Sequence, residues 1–420
     1  MTETGTNTSP KALSGLRVLD LSRVLAGPYC TQILGDLGAD IIKIEKPDKN
    51  GEQGGDDTRR WGPPFLQDSQ GHDTTQSAYY LSCNRNKKSV TIDIAAKEGQ
   101  SLIHRLLAQT DILVENFRTG TLAKYGLSYD HIKARYPRLI YCSITGYGQT
   151  GPLAHEPGYD FLAQAAAGLM AVTGEPDGAP MKAGVALSDI ITGLNAAVGI
   201  LAALRARDTT GAGQHIDLAL TDCTLSAMTN LAQYYLTSGT VSPRYGNAHS
   251  TIVPYEAFKA QDEYIILAIG NDPQFQKFCH VAGHPEWGQD PRFSTNTARL
   301  AHRTLLTDLI KDTLSTRPAQ AWITACEAEN VPCGPILRMD AVFNTPQIQA
   351  REMDITMAHP LTTTPLHLVG SPLKLSATPV SYDRPPPLEG SDTTQVLKHL
   401  LGLTDEEISK LKAYHIIQGA

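Results

Sequence analysis

Apolar residues in the first half of the chain fall in short, near-continuous runs, a pattern that predicts strands covered on both faces. Residues 16–21 (LRVLDL) and 40–45 (DIIKIE) are two such runs, and 28–37 between them has helical spacing. A strand–loop–helix–strand unit of this kind opens a doubly wound α/β sheet. The alternation continues with strands at 89–94, 112–115 and 139–144 and a helix at 99–109. Residues 161–170 and 190–204 repeat at helical spacing and are rich in Ala and Gly, which lets helices pack closely. TGAGQ (210–214) breaks the chain before a further strand at 215–220. From Val253 the texture changes to hairpin-like strands (264–269) and a helix from Asp272, which places a smaller domain at 245–335. Helices at 393–400 and 404–413 close the chain, and residues 1–15 read as a disordered tail. The long Gly-, Asp- and Pro-rich stretch 51–71 is of a length that is usually functional or mobile.

Composition narrows the class. The 420 residues include 36 basic and 43 acidic side chains, a net charge of −7. No basic run exceeds Lys87-Lys88 or Arg59-Arg60, so no nucleic-acid partner is expected. The longest apolar stretch, 194–204, is short of the ~20 residues that span a bilayer, and no membrane partner is expected. The N-terminal MTETGTNTSPKALSG lacks the apolar core of a secretory signal. Seven cysteines, an odd number with no C-x-x-C, argue against a disulfide framework or a zinc site. Cytosol or mitochondrial matrix is therefore the expected setting, and no metal site is expected.

GYGQTG (146–151) matches G-x-G-x-x-G and follows a predicted strand. A dinucleotide site needs a helix opening at the third glycine, but Pro152 and a loop-like LAHEPG follow. Glu45, at the end of the second strand, stands where a ribose-binding acid would, yet the turn at 22–28 lacks the glycine fingerprint. A nicotinamide-dependent oxidoreductase is thus a disfavoured alternative. The glycine loop still lies at a strand end, where open α/β sheets bind ligands. Asp160 and Asp189 each open an apolar helix. Aspartate there is commonly a cap or dipole partner. The same physics holds a carboxylate ionised and aimed into a crevice, as nucleophile or base. Ser188 is available as the cap, which leaves Asp189 freer for chemistry.

An ordered set of motifs then carries a resemblance: AGP (26–28), NKKS (86–89), VENF (114–117), SITGYGQTGP (143–152), PGYD (157–160), LSD (187–189), TGAGQ (210–214) and PCGP (332–335). Together they resemble the class III CoA-transferases from about Leu13 to the C-terminus. The resemblance implies a large Rossmann-like CoA-binding domain (first part 16–225), a smaller α+β domain, a return to the large domain over 336–420, and interlocked homodimers. It implies that Asp189 is the nucleophile, passing through aspartyl anhydride and aspartyl-CoA intermediates, with backbone N–H groups near the helix start holding the oxyanions. CoA and acyl-CoA are then substrates, and no permanently bound cofactor is implied. By position, Arg23, Val24, Leu25, Ala26, Lys46, Ile92, Asp93, Ile94, Asn116, Phe117 and Lys124 match CoA contacts. The racemase branch of the family needs a histidine before the first acid. Here Tyr159 precedes Asp160, and a phenol is a poor proton shuttle at neutral pH. A succinyl-CoA donor and a glutarate-like dicarboxylate acceptor are the expected substrates. The acceptor's distal carboxylate needs a cation, for which Arg59, Arg60 and His249 are the candidates.

Overall fold

The apolar runs form the strands they predict. In the computed structural model, which describes residues 11–49 and 51–419, β1 (Arg17–Asp20), β2 (Asp40–Glu45), β3 (Lys87–Thr91), β4 (Ile112–Glu115), β5 (Ile140–Thr145) and β6 (His215–Ala219) make one sheet. Every pairing in it is parallel, and the order is β3-β2-β1-β4-β5-β6. Alternate residues face opposite sides, so each strand feeds two cores. Leu19, Ile42 and Val90 pack with Leu102, Ile103 and Leu106 of α2 (Lys97–Leu107) and with the C-terminal helix Thr393–Leu401. Val18, Ile41 and Ile112 pack with Cys30 and Leu34 of α1 (Ala26–Asp36).

The same second core takes in Ala196, Ile200 and Ala203 of a long helix, Leu187–Thr210. This helix is 24 residues long and apolar enough to cross a membrane, more than the sequence reading of 194–204 allowed. One side of it is nevertheless built into the sheet's core. Gly193 makes this possible: a Cβ there would stand 2.6 Å from the carbonyl oxygen of Ala26.

Six buried ionic side chains lie along β1–β3 and the loop that follows β2. Lys43 donates to Asp56 (2.8 Å), Lys87 to Asp20 (3.2 Å) and Arg59 to Glu45 (2.6 Å). Three cations meet three anions, so the cluster is neutral despite its burial, as buried charges require. This explains why β3 begins at Lys87, two residues earlier than the apolar run suggests: Lys87 is a core residue once Asp20 is beside it. The stretch 51–71 is also tied down. It holds a 3₁₀ turn (Asp57–Arg60) and a strand, Phe65–Gln67, paired with Asp73–Ser77.

The chain divides into two compact units. The larger comprises Met1–Leu169, Ala183–Ala232 and Gln347–Ala420, of which 1–10, 50 and 420 lie outside the described residues. Residues 11–15 of the expected disordered tail form a turn, with Leu13 buried and its N–H bonded to the carbonyl of Leu37 at 2.9 Å. The smaller unit, Met170–Lys182 with Gln233–Pro346, takes in residues beyond the stretch of altered texture. Its three-stranded antiparallel sheet joins Tyr255–Lys259, Tyr264–Ala268 and Cys333–Pro335. Phe258, Phe275 and Trp322 lie at its core.

Candidate active site

The chain winds from β1 outward through β2 and β3, then returns to place β4 on the other side of β1. The crevice beyond the carboxyl ends of β1 and β4 is therefore the topological switch point, where such sheets bind ligands. A cavity of about 280 Å³ opens there. The turn after β1 contributes Arg23, Val24 and Ala26, and the turn after β4 contributes Asn116, Phe117, Arg118 and Thr119. Asn116 clamps the first turn: its Oδ1 accepts from Arg23 N–H (2.9 Å) and its Nδ2 donates to the Arg23 carbonyl (2.7 Å). Val24 has φ 70°, a left-handed conformation that costs a β-branched residue ~1–2 kcal/mol. Asp56, itself held by Lys43, accepts from Val24 N–H at 3.3 Å and steadies it there. On the far side the strand-end loop passes under the PGYD segment with no room to spare. A Cβ on Gly146 would stand 2.3 Å from Gly158 Cα, and one on Gly158 would stand 2.0 Å from Gly146 Cα.

Two acids share the floor of this cavity. Asp160 opens α3 (Asp160–Ala166), and Asp189 is the third residue of the long helix, α4 (Leu187–Thr210). Ser188 does not cap α4 as the sequence suggested; its hydroxyl oxygen accepts from Thr224 at 2.7 Å. The cap comes from the neighbouring helix. Asp160 Oδ1 accepts from the N–H groups of Ser188 (2.8 Å) and Asp189 (3.3 Å), and its Oδ2 accepts from Gln164 (2.7 Å). Two backbone donors expected to hold an oxyanion are therefore already occupied.

Asp189 gets no such help, since no described residue donates to its carboxyl group. Burial first, and the charge of Asp160 second, push its pKa from 3.8 up to about 7. That shift is equivalent to ~4 kcal/mol. A helix dipole supplies ~0.3–1 kcal/mol, so the expectation that the helix start alone keeps this carboxylate ionised does not hold.

The other sequence candidates separate clearly. Tyr159 lines the cavity and is 64% exposed. Leu25 is the residue preceding α1 and does not line it. Lys46 is exposed beyond β2, and Lys124 is exposed on the 3₁₀ turn Leu122–Tyr125. Ile92 is a core residue, Ile94 packs against the same core, and Asp93 pairs with Lys49 at 2.6 Å. None of these five lines the Asp189 cavity.

Arg59 is not free to hold a substrate. All five of its N–H donors are used: on both oxygens of Glu45, on Gln76, on the Pro387 carbonyl and on the Tyr80 hydroxyl. Glu45 is correspondingly an ion-pair partner, not a ribose ligand, and Arg59 holds its carboxyl below the usual range against the cost of burial. Arg60 bonds the Gly54 carbonyl (2.7 Å) and Asp57 (3.4 Å), away from this cavity. His249 belongs to the smaller unit, where its ring stands edge-on to Tyr255 and its Nδ1 accepts from Thr251 N–H at 3.1 Å. Arg118 and Thr119 line the cavity and escaped the sequence reading.

Residues 13–393 match the family model described as CoA-transferase family III. The chain belongs to CoA-transferase family III. It is 45% identical over 389 residues to the succinate–glutarate CoA-transferase of Agrobacterium fabrum, covering 92% of this chain and 95% of that protein. It is 40% identical over 407 residues to the human succinyl-CoA:glutarate CoA-transferase, covering 97% and 90%. Among solved structures, a CAIB/BAIF family protein from Brucella suis matches with a TM-score of 0.81 and 43% identity, over 94% of this chain and 100% of that one. As a family III member the chain is an enzyme that transfers CoA between an acyl-CoA and a carboxylic acid.

Proposed function

We propose that this enzyme moves CoA from succinyl-CoA to glutarate or a similar short dicarboxylate, with Asp189 as the covalent nucleophile. The Asp189 carboxylate attacks the thioester carbonyl, CoA thiolate leaves, and a mixed anhydride forms. The thiolate then attacks the aspartyl carbonyl, releasing succinate and leaving an aspartyl-CoA thioester. Glutarate attacks that thioester and expels the thiolate, which takes the glutaryl group from the second anhydride and restores the carboxylate. One hard exchange becomes several acyl transfers.

The observation that carries this reading is the pairing of a largely buried Asp189 with Asp160 in the cavity at the switch point. Acylation removes the charge of Asp189. The charge passes to the departing thiolate, so the burial and repulsion that disfavour the Asp189 carboxylate are relieved as far as the thiolate moves away from Asp160. The substrate pair is taken from the similar enzymes, whose printed activities name succinyl-CoA or succinate and glutarate. CoA enters beside Arg23, Val24, Ala26, Asn116 and Phe117. Leu25, Lys46, Ile92, Asp93, Ile94 and Lys124 remain candidates for its more distant parts. A homodimer is part of the proposal: Leu194, Val198 and Leu201 recur on one side of α4 and are exposed, and a second copy would cover them. The free thiols of the chain suit a reducing compartment, cytosol or matrix.

The test is chemical trapping. After incubation with succinyl-CoA, hydroxylamine or borohydride should modify Asp189, read by peptide mass spectrometry. Asp189→Ala should lose both label and turnover; an Asp189→Ala enzyme with more than a few per cent of wild-type turnover refutes the assignment.

A further inference from the structure

One buried polar side chain beside the two acids has no part in the acyl transfers. Gln164 lies four residues after Asp160 on α3, on the same face, and is fully buried. Its amide is used at both ends. Oε1 accepts from the N–H of Ala183 at 2.9 Å, and Nε2 donates to Asp160 Oδ2 at 2.7 Å. These partners fix the orientation, because a flipped amide would set its oxygen on a carboxylate and its NH₂ on an N–H. Ala183 lies six residues before Asp189, on the segment that leads into α4. Gln164 therefore ties the helix that carries one acid to the segment that carries the other.

Both oxygens of Asp160 are thereby engaged, Oδ1 on the N–H groups of Ser188 and Asp189 and Oδ2 on Gln164. Asp189 is within a side chain's reach of the same carboxylate, since its own N–H stands 3.3 Å from Asp160 Oδ1. Two carboxyl groups side by side tend to share one proton, and a shared proton blocks the lone pair that a nucleophile must offer. We propose that Gln164 is a positioning residue for the nucleophile: it locks Asp160 as the cap of α4 and so keeps Asp160 from sharing a proton with Asp189. This inference rests on the transferase reading above and deepens it. Among the described residues Asp160 is the charged group that shifts Asp189, after burial itself. Tyr79, on the helix Ala78–Ser82, feels the Asp189 charge in turn; burial first and that charge second push its phenol up, so it keeps its proton through the assay. Arg23 and Arg118 on the cavity wall stay charged throughout, and Glu156 there is exposed.

The experiment measures kcat/KM for succinyl-CoA, with glutarate as acceptor, from about pH 5.5 to pH 9 on either side of the expected inflection. The proteins are wild type, Gln164→Met, Gln164→Glu, Asp160→Asn, and Asp160→Asn combined with Gln164→Met. Methionine fills a similar volume and donates nothing; glutamate keeps the acceptor for Ala183 N–H should the fold need it, and sets a further acceptor against Asp160. Loss of one charge-assisted donor should raise the inflection by about one pH unit in both variants. Activity in Gln164→Met should then fall about eightfold near pH 6.5 and return to within about twofold of wild type near pH 9. In the Asp160→Asn background, Gln164→Met should move the inflection by less than about 0.3 unit, because the residue it acts through is gone. An inflection that stays put in both Gln164 variants overturns the proposal, and so does an equal loss at every pH, which is what a packing residue gives. An undiminished shift in the Asp160→Asn background overturns it too, as does a wild-type profile that is flat across the range. A wild type that moves no CoA from succinyl-CoA to glutarate sinks the transferase reading itself. A wild type that does so, with an unmoved inflection in the Gln164 variants, sinks only this inference.

Discussion

Replacing Asp189 with Asn should make the protein inactive and, at alkaline pH, more stable. The magnitude follows from the site. Asp189 has its pKa raised from 3.8 to about 7 by burial and by Asp160. A carboxyl group whose folded pKa exceeds its unfolded one holds its proton more tightly in the native state. Its contribution is whole below pH ~4, falls as pH rises from ~4 to ~7, and is flat above. The full shift is worth ~4 kcal/mol, and partial exposure of the carboxyl to solvent reduces this to ~2 kcal/mol. Asn carries no charge and escapes the penalty. Urea unfolding followed by circular dichroism, from pH 4 to pH 8.5, gives the midpoint and slope for both proteins. The two curves should nearly coincide at pH 4 and separate by ~2 kcal/mol at pH 8, the Asn variant being the more stable. An Asn variant that is no more stable at pH 8, or a difference that does not vary with pH, would show that Asp189 is not the strained group described here.

Three further outcomes follow from the same geometry. The kcat/KM for the acyl-CoA donor should rise with pH through about 7, as Asp189 becomes the free carboxylate; Asp160→Asn should move that inflection downward, and an unmoved inflection would disconnect the two acids. Arg59→Ala leaves Glu45 buried without its partner and should destabilise the fold by ~3–5 kcal/mol, read from the urea midpoint. Val24→Gly relieves a left-handed valine and should raise stability by up to ~1 kcal/mol while raising the KM for acyl-CoA, because the turn loses its fixed shape; a lower KM would mean that the strain serves no binding purpose.

The sheet was legible because its strands are apolar on both faces, and the place of Asp189 in the first turn of a helix was legible because the apolar helical spacing begins directly after it. What stayed hidden were pairings between distant residues. Arg59 stands beside Asp56 and Asp57 in sequence, so a surface pairing with them was the natural alternative to a substrate role; in the fold it lies on Glu45 and Asp56 lies on Lys43. Lys87 fell outside the strand read at 89–94 because only the fold sets Asp20 against it. The cap of α4 comes from Asp160, 28 residues before Ser188, which no local capping rule can show. Arg118 and Thr119 could have been found by one physical signal. They directly follow Asn116 and Phe117 in the turn after β4, and the strand order makes that turn one wall of the crevice.

The close approach of Gly146 and Gly158 bears on how this enzyme could acquire new acceptors. Their backbones meet with no space for a methyl group, and the carbonyl of Gly146 also accepts from the N–H (3.1 Å) and hydroxyl (2.9 Å) of Thr221. One wall of the cavity is therefore backbone on backbone, and any side chain added there must displace the segment that carries Tyr159 and Asp160. Directed evolution for bulkier or uncharged acids has little latitude on that wall. Productive substitutions should accumulate among the other lining residues, at Arg118, Thr119 and their neighbours in the turn after β4, where side chains and not backbone form the wall.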